Sequence, residues 1–163
     1  MAVPRIARPV MGFLATPRGQ HVDATAIRYT GHSPYAILYG IDMEGGLRPP
    51  SSYRPPLALT TIGRRSGKRH TIGLAYYEVD AGWAVVGSAG GSAREPHWVR
   101  NVRDNPAAWV HLHRHTTSVS AEVLDGPAKE PLWAMITARA PVFATFQAAV
   151  QRDIPVVVLR RRG

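Results

Sequence analysis

The residues best equipped for chemistry crowd into positions 60–70: Thr60, Thr61, Arg64, Arg65, Ser66, Lys68, Arg69 and His70, with Gly63 and Gly67 between them. Glycine lets backbone N–H groups turn toward a ligand, and an arginine fork matches the oxygens of a phosphate in pairs. A turn of this kind suits a phosphodiester. It is not a nucleoside-triphosphate loop, because the GxxxxGK[ST] spacing is missing. The competing reading is a basic hairpin that simply faces water.

A second cluster is Val86-Gly87-Ser88-Ala89-Gly90-Gly91, followed by Glu95-Pro96-His97-Trp98-Val99-Arg100-Asn101. A strand that runs into Gly-Gly and then a helix start leaves backbone donors free and lets a flat ligand come close. Trp98 could stack on a ring there; for an isolated tryptophan the core is the more ordinary place. Ser88 lacks the GxSxG elbow of a hydrolytic nucleophile. His111, His113 and His115 would share one face of a strand, and neutral imidazole binds zinc or copper. Yet His113-Arg114-His115-Thr116 also reads as a turn, which would scatter them, and no nearby acid is placed to orient them. No metal site is expected.

Composition narrows the chemistry further. The 163 residues suit a single domain, and the hydrophobic fraction of 45% supports one core. The absence of cysteine excludes disulfides, thiolate nucleophiles and thiolate metal sites. What remains is Ser, Thr, Tyr, His, acids and bases, or a borrowed cofactor. A formal charge of +9 points to an acidic partner: nucleic acid, an anionic membrane face or a phosphorylated ligand. Nucleic acid fits poorly, because the basic residues cluster at one turn without interleaved aromatics. Val10–Ala15 is too short for a signal-peptide core, and nothing approaches the ~20 apolar residues of a membrane span, so the expected location is the cytoplasm. Arg160-Arg161-Arg162 reads as a solvated end.

The elements that must position these residues follow from turn and periodicity signals. Asp23 is placed to cap a short helix through about Tyr29, and Ser33 another through Tyr39. The proline-rich and glycine-rich stretch from Glu44 to Pro56 then reads as a linker. This divides the chain into an N-terminal helical arm and linker, residues 1–50, and a body, residues 51–163. In the body, strands are expected at Leu57–Thr61, His70–Val79, Trp83–Gly87, Ala108–His113, Thr117–Leu124 and Val156–Leu159. Helices are expected at about Glu95–Arg103 and from Pro127 to about Val150, interrupted near Pro141. Six strands with two helical stretches describe an α+β protein: a small, mainly antiparallel barrel packed by helices. There are too few βα pairs for a doubly wound sheet.

Taken together, the motifs resemble those of the deazaflavin (coenzyme F-420)-dependent nitroreductase or quinone reductase family of actinobacteria and their relatives. Leu59-Thr60-Thr61-Ile62-Gly63-Arg64-Arg65-Ser66-Gly67-Lys68 is similar to TTxGRxSGK, and Val86–Gly91 to VASxGG. Pro96–Asn101 with Asn105-Pro106 is similar to PxWxxN and NP, and Arg152–Leu159 to RxIPVxxL. The likeness runs from about residue 57 to 160. It implies a split β-barrel and bound 8-hydroxy-5-deazaflavin that hands a hydride to a quinone-like or other conjugated acceptor. By position, Arg64, Arg65, Ser66, Lys68 and His70 would hold the cofactor's phosphate and glutamate tail. Ser88, Gly90 and Gly91 would lie beside the ring, with Trp98 and Asn101 completing the cofactor site. Ser88 would take a catalytic role by donating a hydrogen bond to a substrate oxygen as charge develops. The substrate pocket would comprise Trp98, Phe143 and Phe146. The enzyme that names the family has tyrosines at the last two positions, so flat apolar acceptors are expected over nitro compounds. The alternatives are a non-catalytic deazaflavin or fatty-acid binder, or an FMN oxidoreductase on the same barrel. The expected partners are a small-molecule acceptor, the inner membrane face if that acceptor is a lipid quinone, and at most a second copy of the chain.

Overall fold

The structure is a computed structural model, and it describes residues 16–30, 32–33 and 56–163. Helix α1 spans Pro17–Thr30. Strands β1 (Leu57–Ile62), β2 (Arg69–Leu74), β3 (Tyr77–Val79) and β4 (Gly82–Val86) follow. A 3-10 turn at Ala89–Gly91 leads to α2 (His97–Asp104). Then come β5 (Ala107–Leu112), β6 (His115–Leu124), a 3-10 turn at Gly126–Lys129, α3 (Glu130–Arg139), α4 (Val142–Ala148) and β7 (Val156–Arg161).

All seven strands form one antiparallel sheet in the order β2-β1-β5-β6-β7-β4-β3. The expected six strands become seven because the run 70–79 is two strands, broken at Ala75 and Tyr76. That break decides the architecture. β2 and β3 are consecutive in sequence but lie at opposite edges of the sheet. Three Cα steps from Leu74 to Tyr77 span at most about 11 Å. In a flat seven-stranded sheet those edges would stand about 29 Å apart, at ~4.8 Å per strand. The sheet must therefore curl until its edges meet, which makes it a split barrel.

Strand alternation sorts the side chains into two cores. Leu57, Leu59, Trp83, Val85, Val110, Val119, Val157 and Leu159 point into the barrel, where Trp98, Val99 and Val102 of α2 plug it. Ala84, Val86 and Val156 point outward and are covered by Ile136 and Ala140 of the α3 region and Phe143 of α4. The remaining outer face, on β1, β2 and β5, carries α1. There Ala24 and Ile27 are buried, and a Cβ added to Gly73 of β2 would meet Ile27 Cδ1 at 2.5 Å. A side chain at position 73 would push the Ile27 Cδ1 methyl out of its seat.

The arm differs from expectation in one respect. α1 begins six residues before Asp23, because Thr16 caps it: Thr16 Oγ1 accepts from Gly19 N–H at 3.2 Å, with Pro17 at the first helical position. Asp23 instead sits inside the helix and accepts from Ser33 Oγ at 2.7 Å. The helix expected from Ser33 to Tyr39, the linker before Pro56 and the boundary at residues 50–51 lie outside the described residues. Among the described residues, no helix is long and apolar enough to cross a membrane.

Candidate functional site

The basic turn between β1 and β2 is a closed backbone loop. Gly63 N–H donates to Lys68 O and Gly67 N–H to Gly63 O, both at 2.8 Å. Gly67 holds φ at +65°, which a Cβ would strain. Ser66 Oγ accepts from Lys68 N–H at 3.3 Å and shares a hydrogen bond with His70 Nε2 at 3.2 Å. A Cβ on Gly63 would meet these same two side chains at 2.6 and 2.7 Å. The loop is thus fixed, yet residues 64–70 are all exposed. Arg64, Arg65 and Lys68 have no carboxylate partner among the described residues.

Asn101 fastens this loop to α2. It is buried, with 7% exposure; its Oδ1 accepts from Arg64 N–H at 3.2 Å and its Nδ2 donates to Thr61 Oγ1 at 3.1 Å. Both ends of the amide are engaged within the protein, so its direct work is to position the loop. Two residues earlier on the same helix, Val99 meets the other candidate segment: a Cβ on Gly87 would lie 2.9 Å from Val99 Cγ2 and from Pro155 Cγ. One short helix therefore buttresses both the basic loop and the glycine turn. Arg100 lies between them, its Nη2 donating to Glu95 O at 3.0 Å and its Nε buried without an acceptor among the described residues.

The Ser88–Gly91 turn has positive φ at Ala89, Gly90 and Gly91, of 50°, 62° and 78°. An added Cβ on Gly90 would meet nothing within 4 Å, so that side of the turn is open. On Gly91 it would meet Phe146 Cδ1 at 3.1 Å. Ser88 itself is 8% exposed. Phe146 is half-buried beside the turn, and Phe143 stands behind it, their rings edge to face at 6.1 Å. Phe143 is 7% exposed within the outer core and Trp98 6% exposed within the barrel core. Of the three residues expected around the substrate, Phe146 alone is partly open.

Two features were not foreseen. Arg152, which the sequence offers only as part of a closing motif, reaches the turn through three backbone carbonyls. Its neighbours are pinned by Lys129, 3% exposed, whose ammonium donates to Asp153, to Ile154 O at 2.8 Å and to Gln147 Oε1 at 3.4 Å. Burial pushes the Asp153 carboxyl up, but the Gly126 N–H and Lys129 outweigh it and hold it below the ordinary range. A buried lysine in a 3-10 turn has no local sequence signature, since its partners lie about 20 residues downstream.

The three histidines are separated. His113 and Arg114 form the β5–β6 hairpin turn, with φ of +48° and +67°, so His111 and His115 stand on different strands. His111 is buried and bonded at both nitrogens: Nε2 to Thr60 Oγ1 at 3.0 Å and Nδ1 to Thr116 Oγ1 at 2.8 Å. Burial, then Arg28 and Arg69, lower its pKa, which favours neutral imidazole. Among the described residues, no three His, Asp or Glu side chains converge as a metal site.

Residues 43–161 match the profile of the F420H(2)-dependent quinone reductase family. A protein of Mycobacterium tuberculosis (strain H37Rv) named F420H(2)-dependent quinone reductase is 31% identical over 130 residues, 78% of this chain and 87% of its own. A solved structure described as an F420-H2 dependent reductase superposes with a TM-score of 0.59 at 31% identity, over 66% of this chain and 95% of that one. Another, described as a domain-swapped dimer, has a TM-score of 0.59 at 29% identity, over 76% and 91% of the two chains. The chain belongs to the F420H(2)-dependent quinone reductase family and is a deazaflavin-dependent oxidoreductase on a split barrel.

Proposed function

We propose that this chain binds reduced 8-hydroxy-5-deazaflavin with its anionic tail on the 63–70 loop and its ring against Ser88–Gly91, and reduces a quinone-like acceptor. The observation that carries the reading is the fixed loop of uncompensated cations beside an open glycine turn, both buttressed by α2. The residues fit such a group. Arg64, Arg65 and Lys68 offer donors to phosphate and carboxylate oxygens, and Gly90 leaves space for a flat ring.

Bound there, the deazaflavin supplies two-electron hydride chemistry at a ring carbon. The chain's own part is binding and orientation. The loop fixes the tail by charge, α2 sets the spacing between loop and turn, and Phe146 gives the acceptor an apolar edge beside Gly91. Ser88 supplies a hydroxyl within the turn that this reading sets against the ring, and we assign it the hydrogen bond to the acceptor oxygen.

An acceptor dissolved in lipid would bring the chain to the inner membrane face, and the +9 charge supports that encounter. The dimer described for a structural relative supports a homodimer here. The deciding experiment is a fluorescence titration with oxidised deazaflavin, then menadione reduction by the reduced form. Absence of binding at low salt would refute the reading.

A further inference from the structure

We infer that Arg152 is a positioning residue for hydride transfer: it shapes the Ser88–Gly91 turn from behind and so sets how the ring is presented to the acceptor. The inference rests on the proposed reading that this turn faces the ring. Arg152 lies on the segment before β7, 64 residues after Ser88. Its Nη2 donates to Ser88 O at 2.7 Å and Gly87 O at 3.1 Å, and its Nε donates to Ser92 O at 2.9 Å. One planar fork thus grips both ends of the turn. No carboxylate lies within ion-pair distance of it among the described residues. Its donors go to the turn and, at 3.4 Å, to the Asp153 carbonyl.

Peptide planarity gives this grip a consequence on the far side of the turn. In a trans peptide the C=O and the following N–H point in opposite directions. With the carbonyls of Gly87 and Ser88 drawn toward the guanidinium, the N–H groups of Ser88 and Ala89 face away from it. Neither has an acceptor among the described residues. A cation bonded to the carbonyl end of a peptide also polarises it, which strengthens the N–H as a donor. The positive φ of 50° at Ala89 calls for such an external hold, because that conformation is unfavourable for alanine, while Gly90 and Gly91 adopt theirs freely.

Arg152 is itself held firmly. Gln147 Nε2 donates to Arg152 O at 2.9 Å, and Gln147 Oε1 accepts from Ile154 N–H at 2.9 Å. Gln147 follows Phe146, which touches Gly91, so α4 steadies both the turn and the arginine that grips it. Lysine cannot replace this fork: a single ammonium is a point donor that does not span three carbonyls in a plane.

The test compares Arg152→Lys and Arg152→Ala with the parent protein. Without cofactor, hydrogen exchange at the Gly91 and Ser92 amides, which donate to Ser88 O and Ala89 O, should quicken at least tenfold in both variants, with exchange in β1 and β5 unchanged. Affinity for oxidised deazaflavin should change less than about threefold, because the 63–70 loop still holds the tail. The kcat for menadione should fall at least tenfold in both variants, and millimolar guanidinium should partly restore Arg152→Ala. Unchanged exchange at the Gly91 and Ser92 amides, or a kcat within twofold of the parent in Arg152→Ala, would overturn the inference. So would full activity in Arg152→Lys, which would make charge alone sufficient. If the parent protein itself fails to bind deazaflavin while Arg152→Lys still quickens exchange at Gly91 and Ser92, the proposed function fails and the structural role of Arg152 stands.

Discussion

Replacing Asp153 with asparagine should destabilise this protein far more than its surface position suggests. Lys129 is 4% exposed at its side chain, while Asp153 is 42% exposed. Removing one partner of a buried ion pair costs ~3–5 kcal/mol when the other charge is left uncompensated. Here the ammonium keeps the Ile154 carbonyl and the Gln147 oxygen, and water reaches the Asp153 side. These discounts bring the cost to about 2–3 kcal/mol for Asp153→Asn. For a chain of this length that lowers Tm by about 5–10 °C. The exposed pair Arg160–Glu122, with side chains 53% and 48% exposed, is the control. Glu122→Gln should cost at most ~1 kcal/mol. Acid provides a second check. The folded Asp153 carboxyl titrates below its ordinary value, so its stabilisation is complete above about pH 4 and is lost as pH falls through the folded value. The gap in Tm between parent and Asp153→Asn should therefore be constant at neutral pH and close below about pH 4. Thermal melts followed by circular dichroism would measure both. A Tm within 2 °C of the parent, or a gap that persists in strong acid, would refute the argument that Asp153 serves the buried lysine.

Further predictions concern the site. Arg65→Ala and Lys68→Ala should each weaken deazaflavin binding, more at low salt than at high salt, without altering the fold; titrations at two ionic strengths would show it. Phe146→Tyr should raise bicyclic nitroimidazole reduction relative to menadione by about fivefold, the worth of one ~1 kcal/mol hydrogen bond; an unchanged ratio in steady-state kinetics would exclude Phe146 from the acceptor site. Chelators should leave activity and Tm unchanged, and stoichiometric zinc or copper in untagged protein would contradict this. His111, whose pKa is lowered by burial and by Arg28 and Arg69, must gain a proton on unfolding in mild acid. Stability should then decline as pH falls below about 6.5, and this slope should flatten in His111→Gln.

Local chemistry explains what the sequence made legible. The basic turn and the Ser88 glycine turn are each written in a few adjacent residues. So were the α+β class and most strand positions, because glycine and proline punctuate the chain at nearly every boundary. The motif spacing carried the family, which no single turn identified. The start of α1 was misread through a local cap at Thr16; the other differences depended on residues far apart. Strand 70–79 alternates acceptably as one run; only the need to join opposite sheet edges breaks it at Ala75 and Tyr76. Trp98 and Phe143 look like ring-stacking candidates from their motifs, yet period-two alternation and helix packing direct both into cores. The turn that His113-Arg114-His115-Thr116 suggests is present as the β5–β6 hairpin, and it separates His111 from His115. Arg152 and Lys129 act on partners that the chain reaches only after folding, the carbonyls of the Ser88 turn and the Asp153 carboxylate. The sequence by itself determined which groups are present and which turns they form. The tertiary structure alone decided which side chains are left open to a ligand and which hold others in place, since burial and long-range hydrogen bonds exist only once the barrel has closed.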